Sequence, residues 1–393
     1  MYNVKLDCSA AKRVVADDMI LTKGVATTAG SKMLEGFLSL FSSEALERLT
    51  AKGYGLVGKA KVGEFNIDLL GETAFNGALF ENGVLKNASA EVLKADEADV
   101  ALMMDVNGST RRAAAQNGLV SVKPTYGTVS RYGTIPTACS GETVSLMAKT
   151  VVELRDALSA VAGHDDKDGT SLPESMYVTD TAVLKKVAVL SDMCDGIDSD
   201  VKAKLDSAIA NFKANGIEVV EISNSVIAAS KVAWNILMCA ETCNNVSRYD
   251  GVKYGYRTPN FTNLDELYMN SRTEAFGELI KTAILFGSET LSTTNYMPVY
   301  DKALRTLRLV VEAINELFKE FDAVLMPACS KLEYTEELVK TDKHVAFNEN
   351  FYTAPASITG LPAVVAGGVQ MVGKVFSENK LFNLAETLEK EGK

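Results

Sequence analysis

Histidine is nearly absent from this chain. Its 393 residues include two, His164 and His344. His164 lies in the polar run Gly163-His164-Asp165-Asp166-Lys167-Asp168, and His344 lies in another polar segment. Neither is placed like a poised base. A Ser-His-Asp mechanism is therefore disfavoured, and hydrolytic chemistry would need a different base, such as lysine. Cysteine is sparse and scattered, at Cys8, Cys139, Cys194, Cys239, Cys243 and Cys329. That spacing suits reduced thiols better than a disulfide framework. Cys239 and Cys243 share a helix face, but no second Cys or His pair accompanies them, so no metal site is expected. No cofactor is expected either.

Long apolar runs are missing as well. No stretch reaches the ~18 apolar residues of a membrane span, and the N-terminus lacks the basic-then-apolar layout of a signal peptide. A cytoplasmic protein without a membrane span is the expectation. Positive charge is in deficit, with a net charge of −11. An acidic chain repels phosphate backbones unless it carries a basic patch. The best cluster, Lys281 to Arg308, is diluted by acids, so direct nucleic-acid binding is not expected. Internal repeats and low-complexity tracts are also absent.

What is present is an ordinary globular composition, 47% hydrophobic and 23% charged, with length enough for a sizeable core. Ser42 or Ser43 caps a helix over 42–52, and Gly55-Leu56-Val57-Gly58-Lys59 reads as a buried strand. Thr150 and Glu153 form a capping box for a helix over 151–162, whose apolar face is Val151, Leu154, Leu158 and Val161. A βαβ-like unit follows, with strands over 186–191 and 217–222 around a helix striped by Val201, Leu205, Ile209 and Phe212. Residues 301–320 read as a helix and 321–327 as a buried strand. Gly367-Gly368 makes a hairpin turn between 362–366 and 369–372. Ser377 caps a last helix. The alternation predicts an α/β fold with a mixed sheet in one domain over 1–393.

The most telling stretch is Asp105-Val106-Asn107-Gly108-Ser109-Thr110-Arg111. A serine hydroxyl stays protonated at neutral pH, so Ser109 needs a base and an oxyanion hole to act as a nucleophile. Several segments carry a resemblance. They include Thr22-Lys23-Gly24-Val25-Ala26-Thr27-Thr28, Ser31-Lys32-Met33-Leu34-Glu35, Val57-Gly58-Lys59 and Glu64-Phe65. Val122-Lys123-Pro124-Thr125-Tyr126-Gly127-Thr128-Val129-Ser130-Arg131-Tyr132-Gly133 is the strongest. Ala162-Gly163-His164-Asp165, Ser247 to Arg257, Tyr352-Thr353 and Gly360-Leu361-Pro362-Ala363 follow in order. Together they resemble the amidase signature family, in its branch of tRNA-amidotransferase A subunits. The resemblance implies one α/β domain with a mixed sheet flanked by helices on both faces. It also implies that most of the family's N-terminal helical segment is lacking, with shortening between Phe75 and Leu85 and after Ala366.

In that family a buried lysine draws a proton through a serine held by a cis peptide, and that serine activates the nucleophile. The resemblance puts Ser109 at the nucleophile position, Ala16 at the lysine and Leu85 at the cis-serine. Val106, Asn107 and Gly108 form the oxyanion loop, where Asn107 replaces a glycine. Thr282 or Ala283 stands where a cation clamps the substrate, and Asn350 where an aspartate meets its amine. These changes imply a pseudoenzyme that serves as a binding or scaffold subunit, with partners resembling the amidotransferase B and C subunits, or that holds a small amide ligand. The competing readings are an amide hydrolase in which Lys86 or Lys59 activates Ser109, and a glutamine-dependent amidotransferase subunit proper. Against a role in chemistry, Ser109 reads as an inherited turn residue, Arg111 as a salt-bridged structural residue, Lys86 as a solvated surface lysine, and Tyr249 to Tyr256 as packing.

Overall fold

A computed structural model describes residues 1–177 and 182–389. Its frame is one mixed sheet of eleven strands. In chain order these are β1 (Tyr2–Lys5), β2 (Lys12–Asp17), β3 (Tyr54–Ala60), β4 (Val100–Asp105), β5 (Val120–Lys123), β6 (Thr143–Ala148), β7 (Lys186–Leu190), β8 (Glu218–Ile222), β9 (Ala323–Pro327), β10 (Ala363–Ala366) and β11 (Val369–Gly373). Their spatial order is β1-β3-β2-β4-β6-β5-β10-β11-β9-β7-β8. The β3-β2-β4 and β9-β7-β8 pairings are parallel, and the centre is antiparallel. Helices cover both faces, as expected.

The central strands are apolar on both faces. Every residue of β4, Val100 to Asp105, is buried. Such a strand shows no alternation, because both of its faces meet helices. Periodicity alone therefore does not reveal β4. The elements with one wet face match their sequence signals well. Ser43 caps Glu44–Ala51 by accepting from the Leu46 N–H. Thr150 and Glu153 form the full capping box of Val151–Val161. Gly367 and Gly368 take φ of +59° and +83° at the β10–β11 turn, the left-handed pair that a tight hairpin requires.

Two details differ from the sequence reading. The Ser377 hydroxyl donates to the Lys374 carbonyl, so it closes the turn before the last helix, Glu378–Glu389. The predicted helix over 301–320 is a regular helix at Lys302–Leu317, entered through a wider π turn at Tyr296–Asp301. In addition, the helical stretch Ser225–Val246 is 22 residues long and contains an 18-residue window with a mean hydropathy of 1.2, long and apolar enough by those measures to cross a membrane. Here Trp234, Leu237, Met238 and Cys239 from that stretch are part of the core.

Phe212 on the Ser199–Ala214 helix is fully buried in the main core. Phe212→Ala is expected to lower the unfolding free energy by about 3–5 kcal/mol. The measurement is the denaturant midpoint at unchanged slope. A loss below ~1 kcal/mol would mean that this helix contributes little to the core.

Candidate functional site

Strand β4 ends at Asp105, and the chain turns through Val106, Asn107 and Gly108 into the Ser109–Asn117 helix. The turn is fixed from both ends. Arg111 forms a two-pronged pair with Asp105, through Nε to Oδ2 and Nη2 to Oδ1, each 2.9 Å. Its remaining donors reach the Thr353 carbonyl and Gln370 Oε1 at 2.8 Å and Ser357 Oγ at 2.7 Å. Burial works against the Asp105 charge. The Arg111 charge and its hydrogen bonds outweigh that and hold the carboxyl below its usual range. Gly108 sits at φ +85°, and a Cβ there would lie 2.4 Å from Thr353 Oγ1. Only glycine fits that position.

Asn107, where the resemblance expects a glycine, is buried and hydrogen-bonded at both ends of its side chain. Its Oδ1 accepts from Trp234 Nε1 at 3.0 Å and its Nδ2 donates to the Ile67 carbonyl at 2.8 Å. Its own carbonyl accepts from Arg112 at 2.6 Å. Trp234 packs so closely on Gly141 that a Cβ there would lie 2.3 Å from the indole ring. Val106, Asn107 and Ser109 are all fully buried.

Ser109 Oγ donates to Asn66 Oδ1 at 3.1 Å. Asn66 is itself fixed, because its Nδ2 donates to the Met104 carbonyl at 2.5 Å. An amide oxygen accepts a hydrogen bond but is far too weak a base to take the serine proton. Phe65 and Asn66 are consecutive non-glycine residues at φ +50° and +56°, a region that costs side chains energy. The conformation is held by its surroundings. Phe65 packs on Tyr249 and Phe276, with ring centroids 5.6 and 6.1 Å apart, and its carbonyl accepts from Thr137 Oγ1 at 3.1 Å.

The lysines are engaged elsewhere. Lys59 lies in register with Ala16 on the adjacent parallel strand. Its Nζ is 3.2 Å from Asp18 Oδ1 and donates to Thr27 Oγ1 at 2.9 Å. Burial lowers its pKa despite Asp18. Ala16 is completely buried in the core. Lys86 is half-buried and faces Glu81 at 4.0 Å. Leu85 is buried in the short Phe80–Glu81/Val84–Leu85 hairpin, and its carbonyl accepts from Gln116, near the far end of the Ser109 helix. Lys123 is fully buried and donates to the Leu361 and Pro124 carbonyls. Burial, reinforced by Arg111, lowers it to about 7. None of these lysines is a hydrogen-bond partner of Ser109 among the described residues.

The remaining predicted positions lie on two helices that both pack on Ser230–Val246. Thr282 is exposed and donates to the Glu278 carbonyl of its own helix, while Ala283 is part of the core. Asn350 is buried, and its Nδ2 donates to Asn235 Oδ1 at 2.6 Å. The structure therefore brings Val106, Asn107, Gly108 and Ser109 together. It does not join them to Ala16, Leu85, Thr282, Ala283 or Asn350 through any hydrogen bond. The sequence reading missed Asn66 and Trp234. Asn66 directly follows the recognised Glu64-Phe65 pair, and Trp234 is the chain's single tryptophan. Both were therefore visible as residues, though not as contacts.

The family model for amidases matches residues 88–382. The chain belongs to the amidase family. The A subunit of glutamyl-tRNA(Gln) amidotransferase from Latilactobacillus sakei is 34% identical over 95% of this chain and 81% of its own length. The same subunit from Streptococcus pneumoniae is 33% identical over the same shares. The solved A subunit from Thermotoga maritima superposes with a TM-score of 0.81, at 24% identity, over 99% of this chain and 86% of that one. At that identity the superposition shows the shared amidase-signature fold.

The buried Lys123 yields a signed expectation. Its pKa is about 7 in the folded amidase-family chain against 10.5 ordinarily. Between those values the folded state holds fewer protons than the unfolded state. Stability relative to Lys123→Met therefore rises with pH from 7 toward 10, by at most about 1.4 kcal/mol per pH unit, and is flat below 7. Equilibrium unfolding of both proteins across that range measures it. A gap independent of pH would show that Lys123 stays charged.

Proposed function

We propose that this chain is an amidotransferase A-subunit-like protein that no longer hydrolyses amides. It would act as a binding or scaffold subunit beside partners resembling the B and C subunits. The observation that carries this reading is the Ser109 hydroxyl, which donates to the Asn66 amide and is closed off from solvent. Acyl transfer needs a group that removes the serine proton as the bond to the carbonyl carbon forms. Ala16 has no ionisable atom, Leu85 has none, and Lys59 is engaged by Asp18 and Thr27. The lack of a charged side chain at Thr282, Ala283 and Asn350 supports the same reading, since an amino-acid zwitterion would find neither of its ionic partners there. The subunit role rests on the relatives, whose names place them as A subunits of an amidotransferase.

The direct test is a fluorophosphonate probe read by intact mass, on the wild-type chain and Ser109→Ala. No labelling of either is expected, together with no ammonia release from glutamine. Labelling that maps to Ser109 would overturn the reading in favour of an amide hydrolase with a rearranged base. Purification from the native host should yield stable partner proteins, and a strictly solitary chain would count against the scaffold role.

A further inference from the structure

A cleft of about 870 Å³ lies between the Met33–Phe37 turn and the segment from Asn244 to Gly255. Tyr249 of the cleft wall stacks on Phe65, the residue before the Asn66 that holds Ser109. Phe37 lines the cleft, and the chain that continues from it forms an apolar rim. Phe37, Leu38, Leu40 and Phe41 are four exposed apolar side chains in five consecutive residues, with Leu40 at 84% exposure. Val252 and Tyr254 are exposed on the opposite rim. Contiguous exposed apolar surface of this kind marks interaction sites.

The rim is held in place by its own hydrogen bonds. The Thr27 N–H donates to the Phe37 carbonyl at 3.0 Å and the Gly24 N–H to the Ser39 carbonyl at 2.7 Å. Ser39 Oγ donates to the Phe41 carbonyl, and the Phe41 ring stacks on Tyr132 at 5.2 Å. The apolar side chains are thus presented by a built loop, which lowers the ordering cost of binding.

Glu35 and Arg248 line the cleft itself, and the segments around it, Lys23 to Phe41 and Asn244 to Arg257, carry more basic than acidic side chains. Lys23, Arg248, Lys253 and Arg257 are exposed and Lys32 is half-buried, in a chain of net charge −11. None of the five is in an ion pair among the described residues. The acids of the same segments are Glu35 and Asp250, and Glu274 reaches in from the Leu264–Ala275 helix. Asp250 accepts the N–H groups of Val252 and Lys253, and Glu274 accepts from Tyr256 Oη and Thr258 Oγ1.

We propose that this cleft and rim dock an acidic peptide segment of a partner protein, with an aromatic or branched aliphatic side chain seated in the cleft. The inference rests on the scaffold reading above. A small molecule filling the cleft would leave Leu38 and Leu40 uncovered. A flat lipid surface would leave the cleft unfilled, and the overall negative charge opposes an anionic membrane. An apolar anchor in a pocket with charge-complementary flanks satisfies both features at once.

The test pans a displayed library of random dodecapeptides on the full chain. Selected sequences should pair Leu, Phe or Trp with flanking Asp or Glu. A synthesised representative should lose about ten-fold or more in affinity to the double variant L38D/L40D and to R248E/K253E, and should weaken several-fold between low and high salt. Leu285→Asp, an exposed apolar site elsewhere, should bind as wild type. An empty selection, selected peptides without acidic excess, or affinity indifferent to both double variants would overturn the proposal. So would sedimentation of the wild-type chain, but not of L38D/L40D, with phosphatidylserine-containing vesicles. Fluorophosphonate labelling of the same preparations keeps the two ideas apart. Labelled Ser109 with intact peptide binding refutes the silent-subunit reading alone, and unlabelled Ser109 without peptide binding refutes the docking site alone.

Discussion

The Asp105–Arg111 pair is the constraint on which the centre of this molecule depends. Two full charges are completely buried, at the end of a central strand and on the first turn of the following helix. Burial of that kind is tolerable only when geometry and additional hydrogen bonds leave no donor or acceptor unmatched. Arg111 meets that demand by reaching Thr353, Ser357 and Gln370. The pair therefore ties β4, its loop and helix to the Val345–Thr359 helix and to β11. The Gly108 turn follows from this closure, because Thr353 leaves no room for a side chain there. Arg112 extends the same tie, bonding the carbonyls of Asn107 and Asp68.

Within that frame, Asn107 and Asn66 hold the loop against its neighbours. Each forms a two-ended amide clasp. Asn107 joins Trp234 to the Ile67 carbonyl, and Asn66 joins Ser109 to the Met104 carbonyl. The two clasps lie at the two ends of one short connection, Asn66-Ile67. That connection closes over the loop and brings no group able to accept a proton. The left-handed backbone at Phe65 and Asn66 is compensated by aromatic packing, so the closure is part of the folded core and not a loose flap.

How much of this was legible in the chain depends on whether a feature is local. The capping box at Thr150, the glycine pair at 367–368 and the stripe through Phe212 are contained within a few residues, and each took its expected form. The buried strand β4 is apolar on both faces and has no period to read. Its position was legible only through the Asp105-to-Arg111 motif that follows it. Asn66 and Ser109 are 43 positions apart, and Asn107 and Trp234 are 127 apart. Their meeting depends on how the sheet is ordered. An asparagine or a tryptophan in isolation carries no sign of it.

The same physics explains why Asp105, Gly108 and Arg111 stand here whether or not an amide is cleaved. Removing one member of a buried charge pair leaves the other uncompensated, at a cost of about 3–5 kcal/mol, a large part of a typical folding free energy. A side chain on Gly108 would collide with Thr353. The residues that make the loop recognisable are therefore required by the fold. On the proposed reading, the groups that would make it reactive are a lysine and a hydroxyl at the positions of Ala16 and Leu85, where apolar side chains pack into the core. On that reading, family membership and catalytic competence rest on different residues, and only the first set is enforced by folding.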